Sequence, residues 1–201
     1  GYLTGDIDAI SRVLDEMPQD AAARFALHIM KGRAVEDYIL DRPEDCLDAA
    51  LQFERAGLTD EAVRCLRMCH RQSMLVLAHI ARLTGEALVD GDMRYCFPNR
   101  LEDIPALDVQ SGKAQYLLGC LYYDRMNYRK AADAWEKARE MMPEDAYTCR
   151  NLAQAYFDHL GQPEKARQML EKALALAPEN ARILYELLQL YKNIEISPEE
   201  R

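Results

Sequence analysis

GKAQYLLGCLYYDRMNYRKAADAWEKAREMMP (residues 112–143) and AYTCRNLAQAYFDHLGQPEKARQMLEKALALAP (146–178) are two versions of one helical hairpin. In the first, apolar or small residues fall at Leu118, Gly119, Tyr122, Ala131, Trp135 and Ala138, and Pro143 closes the unit. In the second, the same slots hold Leu152, Ala153, Tyr156, Ala166, Leu170 and Ala173, and Pro178 closes it. The closing prolines stand 35 residues apart, and the extra residue of the second copy falls in the turn before Pro163. A helical hairpin of this size cannot bury its apolar face alone, so successive copies must stack. Stacked hairpins give an extended concave surface, which usually binds and seldom performs chemistry.

Those residues carry a resemblance to the tetratricopeptide repeat family. The family's pattern is Leu-Gly and then Tyr in the first helix, followed by Ala, an aromatic, Ala and a closing Pro in the second. Residues 112–143 match it nearly throughout; residues 146–178 put Ala153 for the Gly and Leu170 for the aromatic. A third unit opens at Ala181, with Leu184, Leu187 and Tyr191 in the first-helix slots. The resemblance implies an all-α, right-handed α-solenoid of antiparallel helical hairpins, here about ten or eleven helices. Ser197-Pro198-Glu199-Glu200 reads as another helix start, with Ser as N-cap and Pro at the first helical position, and implies a chain that continues.

Upstream the pattern weakens. Asp6 can cap a helix over 7–16, ended by Pro18, and a second fits 20–31, ended by Gly32. Residues 33–42 are ambiguous. Over 43–71 a degenerate hairpin is expected: Ala49, Ala50, Phe53, Gly57, Ala62, Leu66 and Cys69 occupy repeat slots, and Thr59 is a natural N-cap. A helix over 73–84 closes on Gly85. Residues 86–98 lack helical spacing, and Pro105 makes any helix over 99–107 short or late-starting. The domain reading is therefore degenerate helical repeats over 1–111, with an irregular connection at 86–111. Two complete units and a truncated third follow over 112–201, all in one continuous solenoid.

A longer resemblance covers roughly residues 40–201. Ala56-Gly57-Leu58, Tyr95-Cys96-Phe97-Pro98-Asn99-Arg100-Leu101 and Tyr116-Leu117-Leu118-Gly119-Cys120 resemble the tail of a bacterial family. In that family a β-rich domain similar to carbohydrate-processing sandwiches precedes tetratricopeptide repeats. The resemblance implies a regulatory or substrate-positioning arm of a carbohydrate-active enzyme, and it carries no catalytic residue into this chain.

Composition narrows the function classes. Nearly half the residues, 49%, are apolar and 29% are charged, which is ordinary for a soluble protein. No run of 18 apolar residues suggests a membrane span. The net charge is −9 and no Lys/Arg run appears, so nucleic-acid binding is not expected. Six cysteines without a Cys-x-x-Cys pair fit a reducing, cytoplasmic setting. Cys65, Cys69 and His70 are the sole cluster of metal-ligating types, but a closed zinc site takes four ligands and His70 points away from Cys69 on a helix. No nucleophile elbow or phosphate-binding loop is present. The expectation is a non-enzyme without cofactor or metal.

The concave face is the remaining candidate. In the family, the second, fifth, ninth and twelfth slots of each first helix face the groove. Here they are Lys113, Tyr116, Cys120 and Tyr123, then Tyr147, Arg150, Gln154 and Phe157, then Arg182, Tyr185, Gln189 and Lys192. Tyr and Arg are enriched at binding hot spots. The alternative is that Tyr116, Tyr123 and Phe157 pack between repeats. Some family members clamp a peptide's terminal carboxylate with Lys and Asn at the fifth and ninth slots; Tyr116/Cys120 and Arg150/Gln154 depart from that. The expected partner is an acidic protein or peptide segment or a neighbouring domain, with no membrane or nucleic acid, and an oligomerisation module is the other reading.

Overall fold

The computed structural model describes residues 2–32, 34–94 and 96–195. The helix start read at Ser197 lies outside them. Among the described residues the secondary structure is helical apart from one isolated bridge between Ser73 and Asp92. The chain divides between Phe97 and Pro98 into two compact units.

The first unit begins with α1 (Ile7–Glu16) and α2 (Ala21–Lys31). Asp6 and Asp20 cap them by accepting from the Ala9 and Ala23 amides, at 2.9 and 2.7 Å. Gly32 ends α2 in the left-handed region that favours glycine. The ambiguous stretch yields α3 (Asp37–Leu40), a single turn. Then come α4 (Pro43–Arg55), α5 (Thr59–Met68) and α6 (Met74–Thr84). Thr59 is not the cap: it is the first residue of α5, Leu58 stands at the cap, and no side chain caps that end. The Arg82 fork on α6 binds both Glu54 oxygens on α4, at 2.8 and 2.6 Å. The irregular segment returns over the start of α6, where the Met74 amide donates to the Asp92 carbonyl at 2.8 Å. A Cβ at Gly91 would stand 2.8 Å from Met74 backbone atoms, so that approach requires glycine.

The second unit opens with a 3-10 turn at Leu101–Asp103 running into α7 (Ile104–Leu107), with Pro105 in the first turn where its missing N–H costs nothing. Asp103 is buried and accepts from the Asn99 and Arg100 amides, both at 3.0 Å. Then α8 (Gly112–Asp124) pairs with α9 (Tyr128–Met141), α10 (Ala146–Asp158) pairs with α11 (Pro163–Leu176), and α12 (Ala181–Glu195) follows. Among the described residues there are twelve α-helices rather than ten or eleven, because the four-residue α3 and α7 are too short to show periodicity.

The two hairpins repeat one another in detail. The Gly119 slot exists for Trp135: a Cβ there would lie 2.4 Å from the indole Cδ1 and Nε1. That indole donates to the Tyr116 carbonyl at 3.0 Å. The second copy fills the same space with Ala153 and Leu170, both buried. Each turn tip holds one residue in the left-handed region, Met126 (φ 58°) and Gly161 (φ 62°), and Gly57 (φ 78°) does the same between α4 and α5. The first tip closes with Asn127 N–H donating to Tyr122 O, five residues back; the second closes with Gln162 to Tyr156, six back. The inserted residue thus sits at the tip.

The joints between hairpins are equally regular. The Tyr156 hydroxyl donates to Glu136 at 2.6 Å, and the Tyr191 hydroxyl to Glu171 at 2.8 Å, each across 20 residues. Met142 and Ala177 have nearly identical backbone angles, and their carbonyls accept from Asp145 and Asn180. One slot departs from the repeat. Leu184 is 42% exposed where its counterpart Cys149 is fully buried, while Ile183 is buried like Thr148 before Cys149. Among the described residues no helix covers that side of α12.

Candidate binding face

Residues of α10, α11 and α12 enclose a cleft of about 200 Å³. Arg150, Gln154 and Phe157 line it from α10, and Tyr185 and Gln189 from α12. These are five of the predicted groove residues. Leu170 and Leu190 form its apolar floor, and Asn193 adds an amide at one end. Phe157 is 36% exposed and Tyr185 62%, so aromatic surface stands open beside the cleft.

Arg150 does not present a free fork. Its Nε and Nη2 donate to the two Glu186 oxygens at 2.7 and 2.5 Å, and Arg182 Nε reaches Glu186 Oε1 at 3.1 Å. Glu186 had not been read as a site residue. It stands 36 residues after Arg150, one residue past Tyr185, which holds the slot equivalent to Arg150 in the next repeat. The two arginines and Glu186 give a cluster with an excess of about one positive charge, weaker than the row of bases suggests.

The row on α8, in the first of the two hairpins, is arranged differently. Tyr116 and Tyr123 pack against the core cluster of α9–α12. The Tyr116 hydroxyl accepts from Asn151 Nδ2 at 3.3 Å, and burial pushes its pKa up to about 12. Cys120 lies half-buried beside it, and burial lifts its thiol to about 11. Tyr123 meets the Trp135 ring at 5.6 Å, and its hydroxyl lies 3.0 Å from His159 Nε2. His159 in turn stacks flat on Tyr128 at 3.5 Å between centroids. Those tyrosines join hairpin to hairpin, the packing alternative raised from sequence, and burial also raises the Tyr123 pKa. Lys113, Tyr147, Arg182 and Lys192 lie on first helices but do not line the cleft.

The cysteine cluster comes apart. Cys65 is buried within α5, whereas Cys69 lies past its end, donating to the Arg71 carbonyl at 3.3 Å rather than filling a helical slot. His70 is exposed with Nδ1 3.1 Å from Asp41. Among the described residues no group of three His, Cys, Asp or Glu is placed to hold a metal ion. No described helix is long and apolar enough to cross a membrane.

Residues 116–181 and 158–191 match the family model described as a tetratricopeptide repeat. Together the two matches cover residues 116–191, which hold nearly all of the two hairpins and most of α12. The chain is also similar to several solved structures. A crystal structure of MamA is 18% identical, with a TM-score of 0.43 over 94% of this chain and 77% of that one. A second MamA structure is 20% identical, with a TM-score of 0.46 over 77% and 88%. The first tetratricopeptide domain of Spaghetti (RPAP3), bound to an HSP90 peptide, is 14% identical, with a TM-score of 0.43 over 77% and 94%.

Proposed function

We propose that the tetratricopeptide repeats of this chain form a non-catalytic protein-binding module, with the α10–α12 cleft as its anchor point. The observation that carries this is the cleft itself: open aromatic surface at Phe157 and Tyr185 over an apolar floor, flanked by the amides of Gln154, Gln189 and Asn193. Aromatic side chains supply contact area with few rotatable bonds to freeze, and the rigid hairpins lose little freedom on binding. The partner segment places one apolar side chain between Phe157 and Leu190 and satisfies the three amides with its backbone. Because Glu186 holds Arg150, a partner carboxylate would have to displace it, so acidic character matters less than the row of bases implies.

Peptides selected from a displayed random library on the purified protein provide the test. Phe157→Ala should weaken a selected peptide at least ten-fold, the scale of an interface hot spot. Arg129→Ala with Lys137→Ala, on the second helix of the preceding hairpin, should leave it unchanged. The opposite pattern would put the site on the other face. The oligomerisation reading is separated by the solution mass at micromolar concentration. The enzyme-arm reading rests on the sequence resemblance alone, and an association measured between this chain and a β-rich domain would test it.

A further inference from the structure

We propose that the first unit carries a second docking site, an apolar pocket that takes one bulky aliphatic or aromatic side chain from a basic segment of a protein partner. The pocket is a cleft of about 500 Å³ between α1, α2 and α4. That is within the range of specific ligand sites. Its depth comes from small residues: Ala9 on α1 and Ala22, Ala23 and Ala26 on α2 line it, where larger side chains would fill it. Phe53 of α4 lines it as well, fixed by the edge of Tyr2 at 5.3 Å, whose hydroxyl donates to Glu61 at 2.9 Å. At the mouth, Leu3 is 70% exposed and Met17 53%. An unbranched thioether there can mould itself to different guests.

Charge names the guest's setting. Residues 1–60 hold 13 of the 34 acidic residues and 6 of the 25 basic ones, so this segment carries −7 of the net −9. Over residues 112–193 there are 12 basic and 11 acidic residues. Most of the acidic excess thus belongs to the first unit: residues 1–97 carry −6 and residues 98–201 carry −3. Asp20 lines the pocket itself. Helical spacing puts Asp6 and Glu16 on the α1 face of Val13, and Asp48 one turn before Gln52 on α4. An apolar hole in a net acidic setting favours a partner with an apolar anchor among basic residues over one with acidic flanks.

The experiment uses the whole chain with ¹³C-labelled alanine methyl groups and three synthetic capped hexapeptides, Lys-Lys-Leu-Leu-Lys-Lys, Glu-Glu-Leu-Leu-Glu-Glu and Lys-Lys-Ser-Ser-Lys-Lys. The first should shift the methyl resonances of Ala9, Ala22, Ala23 and Ala26, less so at high salt; the other two should leave them in place. Val13→Ser with Met17→Ser, at the exposed mouth, should weaken the first peptide at least ten-fold with helicity unchanged by circular dichroism. Ala23→Leu, which fills the hole, should do the same. Equal shifts from the serine peptide, shifts confined to residues 112–193, or no shift at millimolar peptide would each overturn the proposal.

Discussion

Gly119 and Trp135 should behave as one unit, and a double-mutant cycle measures it. Gly119→Ala would gain about 1 kcal/mol from helix propensity. Its new Cβ would sit 2.4 Å from the indole, where ordinary contacts begin at 3.4 Å, so the ring must retreat by about 1 Å. Retreat is blocked, because Nε1 is tied to the Tyr116 carbonyl and the ring lies against Tyr123. Overpacking of this kind costs roughly 1–3 kcal/mol, so the substitution should destabilise by about 1 kcal/mol net. Trp135→Leu leaves a void and loses the N–H bond, costing about 2–3 kcal/mol, and Trp135→Ala should cost about 3–5 kcal/mol. With Leu at 135 the clash is gone, so adding Gly119→Ala should now stabilise by about 1 kcal/mol, reproducing the native Ala153/Leu170 pair. The coupling is therefore about 2 kcal/mol, read from urea titrations followed by helical circular dichroism. If Gly119→Ala has the same effect in both backgrounds, within about 0.5 kcal/mol, the indole is not what keeps glycine at 119.

Met126→Gly should stabilise by about 1 kcal/mol, since Met126 sits at φ 58° with 75% of its surface exposed and loses no packing; an unchanged urea midpoint would show that the turn is not strained. Asp103→Ala should cost about 1–2 kcal/mol, because the Asn99 and Arg100 amides lose their charged acceptor, and Asp103→Asn should recover part of it; a neutral alanine variant would count against that cap. Stability should fall as pH rises from about 9 towards 12: Cys65 and Tyr116, with ordinary values of 9.0 and 10.0, are held up to about 12 by burial, and Cys120 to about 11. The unfolded chain then binds fewer protons than the folded one across that window. Tyr116→Phe should flatten the fall above pH 10, and a titration curve identical to that of the parent would refute its share.

The hairpins were legible because their constraints are local and periodic. The repeat aligns Gly119 with Ala153 and Trp135 with Leu170 as equivalent slots, and Asp6, Gly32 and Gly85 bound their helices through their own side chains or lack of one. The failures are of a different kind. Leu58 ends up at the start of α5 because the turn through Gly57 decides where the helix begins, and Thr59's hydroxyl has no part in it. Leu184 matches a buried slot, but a slot specifies only which way a residue points; cover depends on the next helix. Arg150 lies on α10 with its partner on another helix, and a per-helix count of bases does not see Glu186 cancelling it. The α1–α2 pocket was missed because alanines advertise close packing in a sequence, and the same alanines leave room when the opposing helices stand apart.

The Tyr156–Glu136 and Tyr191–Glu171 hydrogen bonds have a bearing on how such a chain can change length. Both span the same number of residues, although the hairpin between them is one residue longer than its predecessor. Growth has therefore been confined to the tips, at Gly161 and its neighbours, while the segments between hairpins are gauged by a hydroxyl that must find its carboxylate. A designer grafting a loop has free room at the tips; an insertion between Pro143 and Asp145 would pull Tyr156 off Glu136 and misalign the hairpin that follows, while leaving Tyr191 its own carboxylate.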